Sequence, residues 1–225
     1  MSKMTIEYVD HMGTDKTVVN SARVSFNKQI DVLEDKDIKL IKYLSKHNHF
    51  TPFCHPQITI RETVPIFVAR QRFKHTVGFS YNEMSRRYVT DTPEIFEPEG
   101  WRWAAENVKQ GSSDEVVSDQ LMRDYWGTRI QQAQQKSIDV YEEMVERGIA
   151  PEQARMVLPQ SVMTSYYVTG SLSAWARAYG LRSYKTAQKE IRDVAVRWDE
   201  IIRPLFPHSW NALTNNNADT NTEKE

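Results

Sequence analysis

The densest chemistry in the chain lies between Arg70 and Tyr88. Arg70, Arg72, Lys74, Arg86 and Arg87 supply cations there, against the single acid Glu83. Side chains that can hydrogen-bond a base or a sugar, among them Gln71, Thr76, Ser80, Tyr81, Asn82 and Ser85, are interleaved with them. A solvated face usually mixes both charge signs. The imbalance therefore fits an anion site, with guanidinium and ammonium groups for a phosphate and hydroxyls and amides for a sugar or base edge. On its charges alone the segment reads equally well as an exposed basic face and a turn. Arg155 and Arg182 stand apart in sequence, and an isolated arginine is more often a surface residue than a ligand.

The rest of the composition narrows the chemistry. Lys plus Arg is 29 and Asp plus Glu is 30, a net charge of -1. That excludes a polycation and weighs against a single-stranded nucleic-acid binder that would stack bases on Phe73, Phe79 and Tyr81. The lone Cys54 excludes a disulfide framework and a cysteine-rich zinc site. His47, His49 and His55 lie close in sequence but have no acidic or thiol partner at a metal-ligand spacing, so no metal is expected. Cys54 beside His55 could be a thiolate, but a buried, inert cysteine is the commoner case. The glycines are spread too widely for a GxGxxG or GxxxxGK[ST] loop, and neither GxSxG nor HExxH occurs. Any nucleotide must therefore be held by side chains and helix ends. The longest apolar run, Val64 to Ala69, is short and contains Pro65, so no membrane span is expected. Glu7 and Asp10 make the N-terminus unlike a secretory signal, and a cytoplasmic setting is expected.

The elements that must position these groups follow from periodicity. A helix is expected over Asp35–His47, with Ile38, Ile41 and Leu44 on one face. Gln57–Arg61 alternates as a strand, and Thr63 with Val64-Pro65 marks a helix start. Ser118–Arg147 carries an apolar stripe from Met122 through Tyr125, Trp126, Ile130, Ala133, Ile138 and Tyr141 to Met144. Pro151 opens a short helix that Pro159 closes. Ser161–Thr169 reads as a strand, and Ser171 as the cap of a helix ended by Gly180. A last helix covers Thr186–Leu205, with Ile191, Val194, Trp198 and Ile201 inward. Asn211–Glu225 is Asn- and Thr-rich and reads as a disordered polar tail. Strands among helices without a regular βα repeat give an α+β layout.

Ser80-Tyr81-Asn82-Glu83-Met84-Ser85-Arg86-Arg87-Tyr88 resembles the second half of the signature of the flavin-dependent thymidylate synthases, Ser-x-Asn-Glu-x-Ser-x-Arg-Tyr. Further blocks are similar in order and spacing: Ala22–Phe26, Lys46–His55, Pro65–Gln71, Ala154–Pro159 and Gly180–Arg182. The chain departs from the family at Lys74-His75-Thr76, where the signature has Arg-His-Arg, and the spacer to Ser85 is one residue longer than usual. Arg177 stands where the family often has a small polar residue.

The resemblance implies a subunit with helices packed around a mainly antiparallel sheet, with residues 1–210 as one catalytic domain. It implies a homotetramer with sites shared between subunits. The implied reaction is reductive methylation of deoxyuridine monophosphate (dUMP) to dTMP, without an enzyme nucleophile. 5,10-Methylenetetrahydrofolate gives the carbon, and FAD reduced by NADPH gives the hydride. By similarity dUMP would meet Gln71, Arg72, Phe73, Lys74, Glu83, Met84, Ser85, Arg86, Arg87, Arg155 and Arg182, with Arg182 catalytic. FAD would meet Thr51, Lys74, His75, Thr76, Glu83, Ser171 and Arg177. The altered triplet keeps open an FAD-binding protein of the same fold with a different nucleotide substrate.

Overall fold

A computed structural model describes residues 3–105 and 113–221. Among these, β1 (Thr5–Met12) and α1 (Asp15–Arg23) precede α2 (Asp35–Lys46), and β2 (Gln57–Pro65) runs directly into α3 (Ile66–Arg72). Then come β3 (Phe79–Glu83), the long α4 (Gln120–Glu146), the short α5 (Pro151–Ala154) and β4 (Met163–Ser171). Helices α6 (Leu172–Arg182), α7 (Lys189–Leu205) and α8 (Pro207–Asn221) complete the chain. The strands form one sheet in the order β1-β2-β4-β3. Thr59 pairs with Thr169 and Thr63 with Ser165. Gly78 pairs with Ser171 and Met84 with Ser165 through their backbones. In both sets one number rises as the other falls, so β2 and β3 each run antiparallel to β4. The α+β class is the one the sequence implies.

The chain divides into two compact units, one of Met1–Thr5, Glu62–Lys74 and Asn82–Tyr166, the other of Ile6–Arg61, His75–Tyr81 and Tyr167–Glu225. The boundaries cut through β2, β3 and β4 rather than through a Pro/Gly-rich linker, which is why no composition shift marks them.

In the first unit β2 continues beyond its expected end at Arg61. Pro65 is the last strand residue and caps α3, with φ -67° and ψ 152°. The first free N–H groups of α3 are satisfied from outside, Ile66 N by Val162 O and Phe67 N by Gln160 O. Asp119 caps α4 by accepting from Met122 N. Only the second half of α4 is buried, through Gln134, Ile138 and Tyr141. Leu121, Tyr125 and Trp126, on its first half, are exposed.

In the second unit Trp175, Trp198 and Trp210 are fully buried. Trp175 donates from Nε1 to Ile58 O and packs edge-on against Phe79 and Trp198. On α7 the inward residues are Ile191, Val194, Ala195, Trp198 and Ile202. Ile202, seven residues after Ala195 and four after Trp198, is buried where Ile201 was expected, and Ile201 is half-buried. Two sequence expectations are corrected here. Gly180 lies inside α6, which continues to Arg182. The tail expected from Asn211 enters the helix α8 instead. Asp15 accepts from His208 N and Ser209 N at the start of α8, Ser45 Oγ donates to Ala212 O, and Ala212 and Thr214 are buried. These partners are distant in sequence, so a polar composition conceals them. Residues 222–225 lie outside the described residues.

Candidate active site

The end of α3 is fixed by a buried ion pair. β2 places Ile58, Ile60, Glu62 and Val64 on its buried parity. Glu62 and Arg72 are both fully buried, and Arg72 Nε donates to Glu62 Oε1 at 3.2 Å. Tyr166 donates to Glu62 Oε2 at 2.6 Å, and its ring lies 4.8 Å from that of Phe73. Arg72, expected to contact dUMP, is fully buried with its Nε tied to Glu62. Gln71 and Phe73 are half-buried and Lys74 is exposed.

The second half of the signature is held by β4 at Glu83 and Met84 and by its own neighbours from Ser85 onward. Met84 N donates to Ser165 O, and Thr164 Oγ1 donates to Glu83 Oε1 at 2.6 Å. Tyr88 N and Val89 N both donate to Ser85 O, closing a tight turn. Ser85 Oγ accepts from Arg87 N and Arg87 Nε, each at 3.3 Å. The hydroxyl's own proton is then the group with which Ser85 can serve an anion. Arg86 Nη1 donates to Asp91 O at 2.5 Å, while its Nε is buried with no hydrogen-bond partner among the described residues. A guanidinium held at one nitrogen and unsatisfied at another is suited to a further acceptor. Arg87 lies over the Tyr88 ring, and Arg155 is exposed in the 3₁₀ turn that follows α5.

In the second unit, α6 and its capping residue hold His75, Val77 and Gly78. Ser171 N donates to Gly78 O, and a Cβ on Gly78 would come within 2.9 Å of Ala174 Cβ. Arg177 Nη2 donates to Val77 O at 2.5 Å. Arg182 Nε donates to His75 Nε2 at 2.9 Å, and Tyr81 donates to His75 O at 2.7 Å. A Cβ on Gly170 would fall within 2.4 Å of the Phe79 ring, so glycine there lets β4 and β3 lie close. His75 is buried, Thr76 and Thr51 are exposed, and Ser171 is buried as the cap that accepts from Ala174 N. Cys54 is half-buried, with Sγ 3.6 Å from Phe50 O. The rings of His47 and His49 are 6.5 Å apart, and no group of three or more His, Cys, Asp or Glu among the described residues is arranged for a metal. No described helix is long and apolar enough to cross a membrane.

Residues 7–208 match the family model described as thymidylate synthase complementing protein. The chain belongs to the flavin-dependent thymidylate synthase family. The flavin-dependent thymidylate synthase of Thermosipho africanus is 37% identical over 214 residues, covering 95% of this chain and 92% of the relative. That of Thermus thermophilus is 34% identical over 213 residues, covering 95% and 76%. Among solved structures, a UMP/dUMP methylase of Streptomyces cacaoi bound with 5-Br dUMP superposes with a TM-score of 0.83 at 29% identity, covering 95% of this chain and 96% of that one. The same methylase bound with 5-Br UMP gives 0.82 at 26% identity.

Family membership makes the chain an enzyme with a flavin cofactor. Of the residues expected at the flavin, Thr51, Lys74 and Thr76 are exposed hydroxyl and ammonium groups, a donor chemistry that such an anionic group accepts. Sequence reading missed Glu62, Thr164 and Tyr166. Glu62 alone left a signal, since extending the Ile58, Ile60 alternation puts a carboxylate on the core side.

Proposed function

We propose that the chain converts dUMP to dTMP, with 5,10-methylenetetrahydrofolate as carbon donor and NADPH as the source of reducing equivalents. The observation that supports this most is the pairing of a family-matched signature with arginines presented rather than spent. Arg86 keeps a buried Nε without an acceptor among the described residues, and Arg155 is exposed.

In this reading Ser85, Arg86, Arg87 and Arg155 bind the phosphate, because a dianion wants several charge-assisted donors. Gln71, Phe73, Lys74, Glu83 and Met84 line the nucleotide, while Arg72 supports them from behind through Glu62. Arg182 meets the pyrimidine edge. Its planar, permanently charged fork stabilises negative charge as the ring becomes nucleophilic at C5. FAD, when bound, supplies hydride chemistry. Thr51, Lys74, Thr76 and Glu83 hold it, with His75 beside it and Ser171 and Arg177 fixing the loop. No enzyme nucleophile is required, and Cys54 is a bystander. We take the working form as a homotetramer with shared sites, supported by Leu121, Tyr125 and Trp126 standing exposed on α4. Residues 1–210 act as one catalytic domain, in the cytoplasm.

A second reading has the same fold and a ribonucleotide substrate; the UMP/dUMP methylase of Streptomyces cacaoi was solved with both nucleotide types. Product analysis separates them. The enzyme supplied with FAD, NADPH and methylenetetrahydrofolate should convert dUMP to dTMP with tetrahydrofolate as co-product. Methylation of UMP in preference to dUMP would favour the second reading, and no methylation of either would overturn both.

A further inference from the structure

Arg182 and His75 lie 107 positions apart, yet Arg182 Nε donates to His75 Nε2 at 2.9 Å. An arginine side chain has no acceptor and does not deprotonate. Its partner nitrogen must therefore carry a lone pair, and the imidazole proton must sit on Nδ1. The ring is placed by more than this contact. His75 is 8% exposed. Tyr81 donates to His75 O at 2.7 Å, and the next residues of the loop are tied to α6 by Arg177 and to the start of α6 by Ser171 N. The Arg182 side chain leaves the last turn of α6, where a flexible arginine would otherwise sample many rotamers. Binding it by the inner nitrogen, Nε, fixes the plane of the guanidinium and so the direction in which the edge formed by Nη1 and Nη2 faces. That edge is the one with two parallel N–H groups for a carbonyl and its neighbour.

We infer that His75 is a positioning residue for Arg182: as the neutral Nδ1–H tautomer it orients the guanidinium by its Nε and so sets the pyrimidine-recognising edge. This rests on the reading of Arg182 as the group at the uracil edge. It gives His75 a duty toward the pyrimidine that is separate from any contact with the flavin.

Replacement by residues that keep or lose the acceptor tests it. Gln carries an oxygen near the place of Nε2; Leu fills similar space without an acceptor. At saturating FAD, His75→Leu should lower kcat for dUMP about 10²-fold, the loss expected when a reacting group is misplaced by an ångström or so. His75→Gln should recover most of it. A role confined to flavin binding would instead raise the FAD concentration needed and leave kcat intact once FAD saturates, which would overturn the inference. Equal loss in Leu and Gln variants that both bind FAD would overturn it too. Should the chain methylate another nucleotide, the same comparison is made on that substrate. A third arm needs no turnover: ¹⁵N spectra of histidine-labelled protein, with His75 assigned by its absence in His75→Gln, should show Nδ1 protonated and Nε2 bare. The Arg182→Leu variant should lose that preference. A His75 protonated at Nε2 in the intact protein would contradict the inference whatever the enzyme's substrate.

Discussion

Two stretches of one signature are held in opposite ways. Ser85 to Asp91 is fixed largely by itself: Ser85 collects Tyr88, Val89 and Arg87, and Arg86 reaches Asp91 O. His75 to Gly78 is fixed from a distance, by Arg177 and Arg182, which are 100 and 107 positions away from their partners. The part of the self-held stretch that lies within the signature, Ser85 to Tyr88, matches it at every defined position. The departures lie at or beside the stretch held from a distance, with Lys74 and Thr76 in place of arginines and one extra residue before Ser85. A local turn can be read from nine consecutive residues; a loop whose shape is imposed by another helix cannot. His75 to Gly78 therefore owes its form to donors on α6 rather than to its own side chains.

The largest effect should come from the support behind α3, which leads into the signature. Arg72 and Glu62 are fully buried partners. Removing one leaves an uncompensated buried charge, worth about 3–5 kcal/mol, whereas replacing both with apolar groups is often neutral. Arg72→Met should therefore lower denaturant stability sharply, and Glu62→Leu with Arg72→Met should restore most of it. If the single and double variants were equally destabilised, the pair would not be the unit that fixes α3. Next, Arg182→Ala should cut turnover about 10²–10³-fold, the usual loss for a preorganised donor, while flavin absorbance is retained. Unchanged turnover would remove Arg182 from the chemistry. Smaller again, Arg86→Ala should raise KM for dUMP about tenfold, on the order of one lost charge-assisted contact, and leave FAD affinity alone; an effect on FAD instead would reverse the division of labour between the two stretches. Smallest of all, Cys54→Ala should keep substantial turnover. Its complete loss in a folded protein would mean that a thiolate attacks the pyrimidine after all.

Much of the scaffold was legible because it rests on local rules. α2 begins at Asp35 as expected, the start of α4 falls two residues after Ser118, and Ser171 caps α6. What was not legible depends on distant partners. Asp15 caps α8 from the other end of the sequence, and so the polar stretch after Asn211 looked like a tail. Gly180 looked like a stop, but α6 runs past it to Arg182. At the site, the types of residue were legible and their duties were not. Arg72, Arg86 and Arg182 are equal in sequence; burial against Glu62, a bond to Asp91 O and a bond to His75 Nε2 make them three different tools. Carrying the strand one residue past Arg61 would have put Glu62 on the buried parity and pointed to its partner.

The most direct test of the central claim is an anaerobic absorbance record of the FAD-loaded enzyme. NADPH should bleach the flavin band. Adding methylenetetrahydrofolate and dUMP together should restore it, with dTMP formed in step, and neither alone should do so. A flavin that stays reduced with both present, or that is reoxidised without dUMP, would contradict the account.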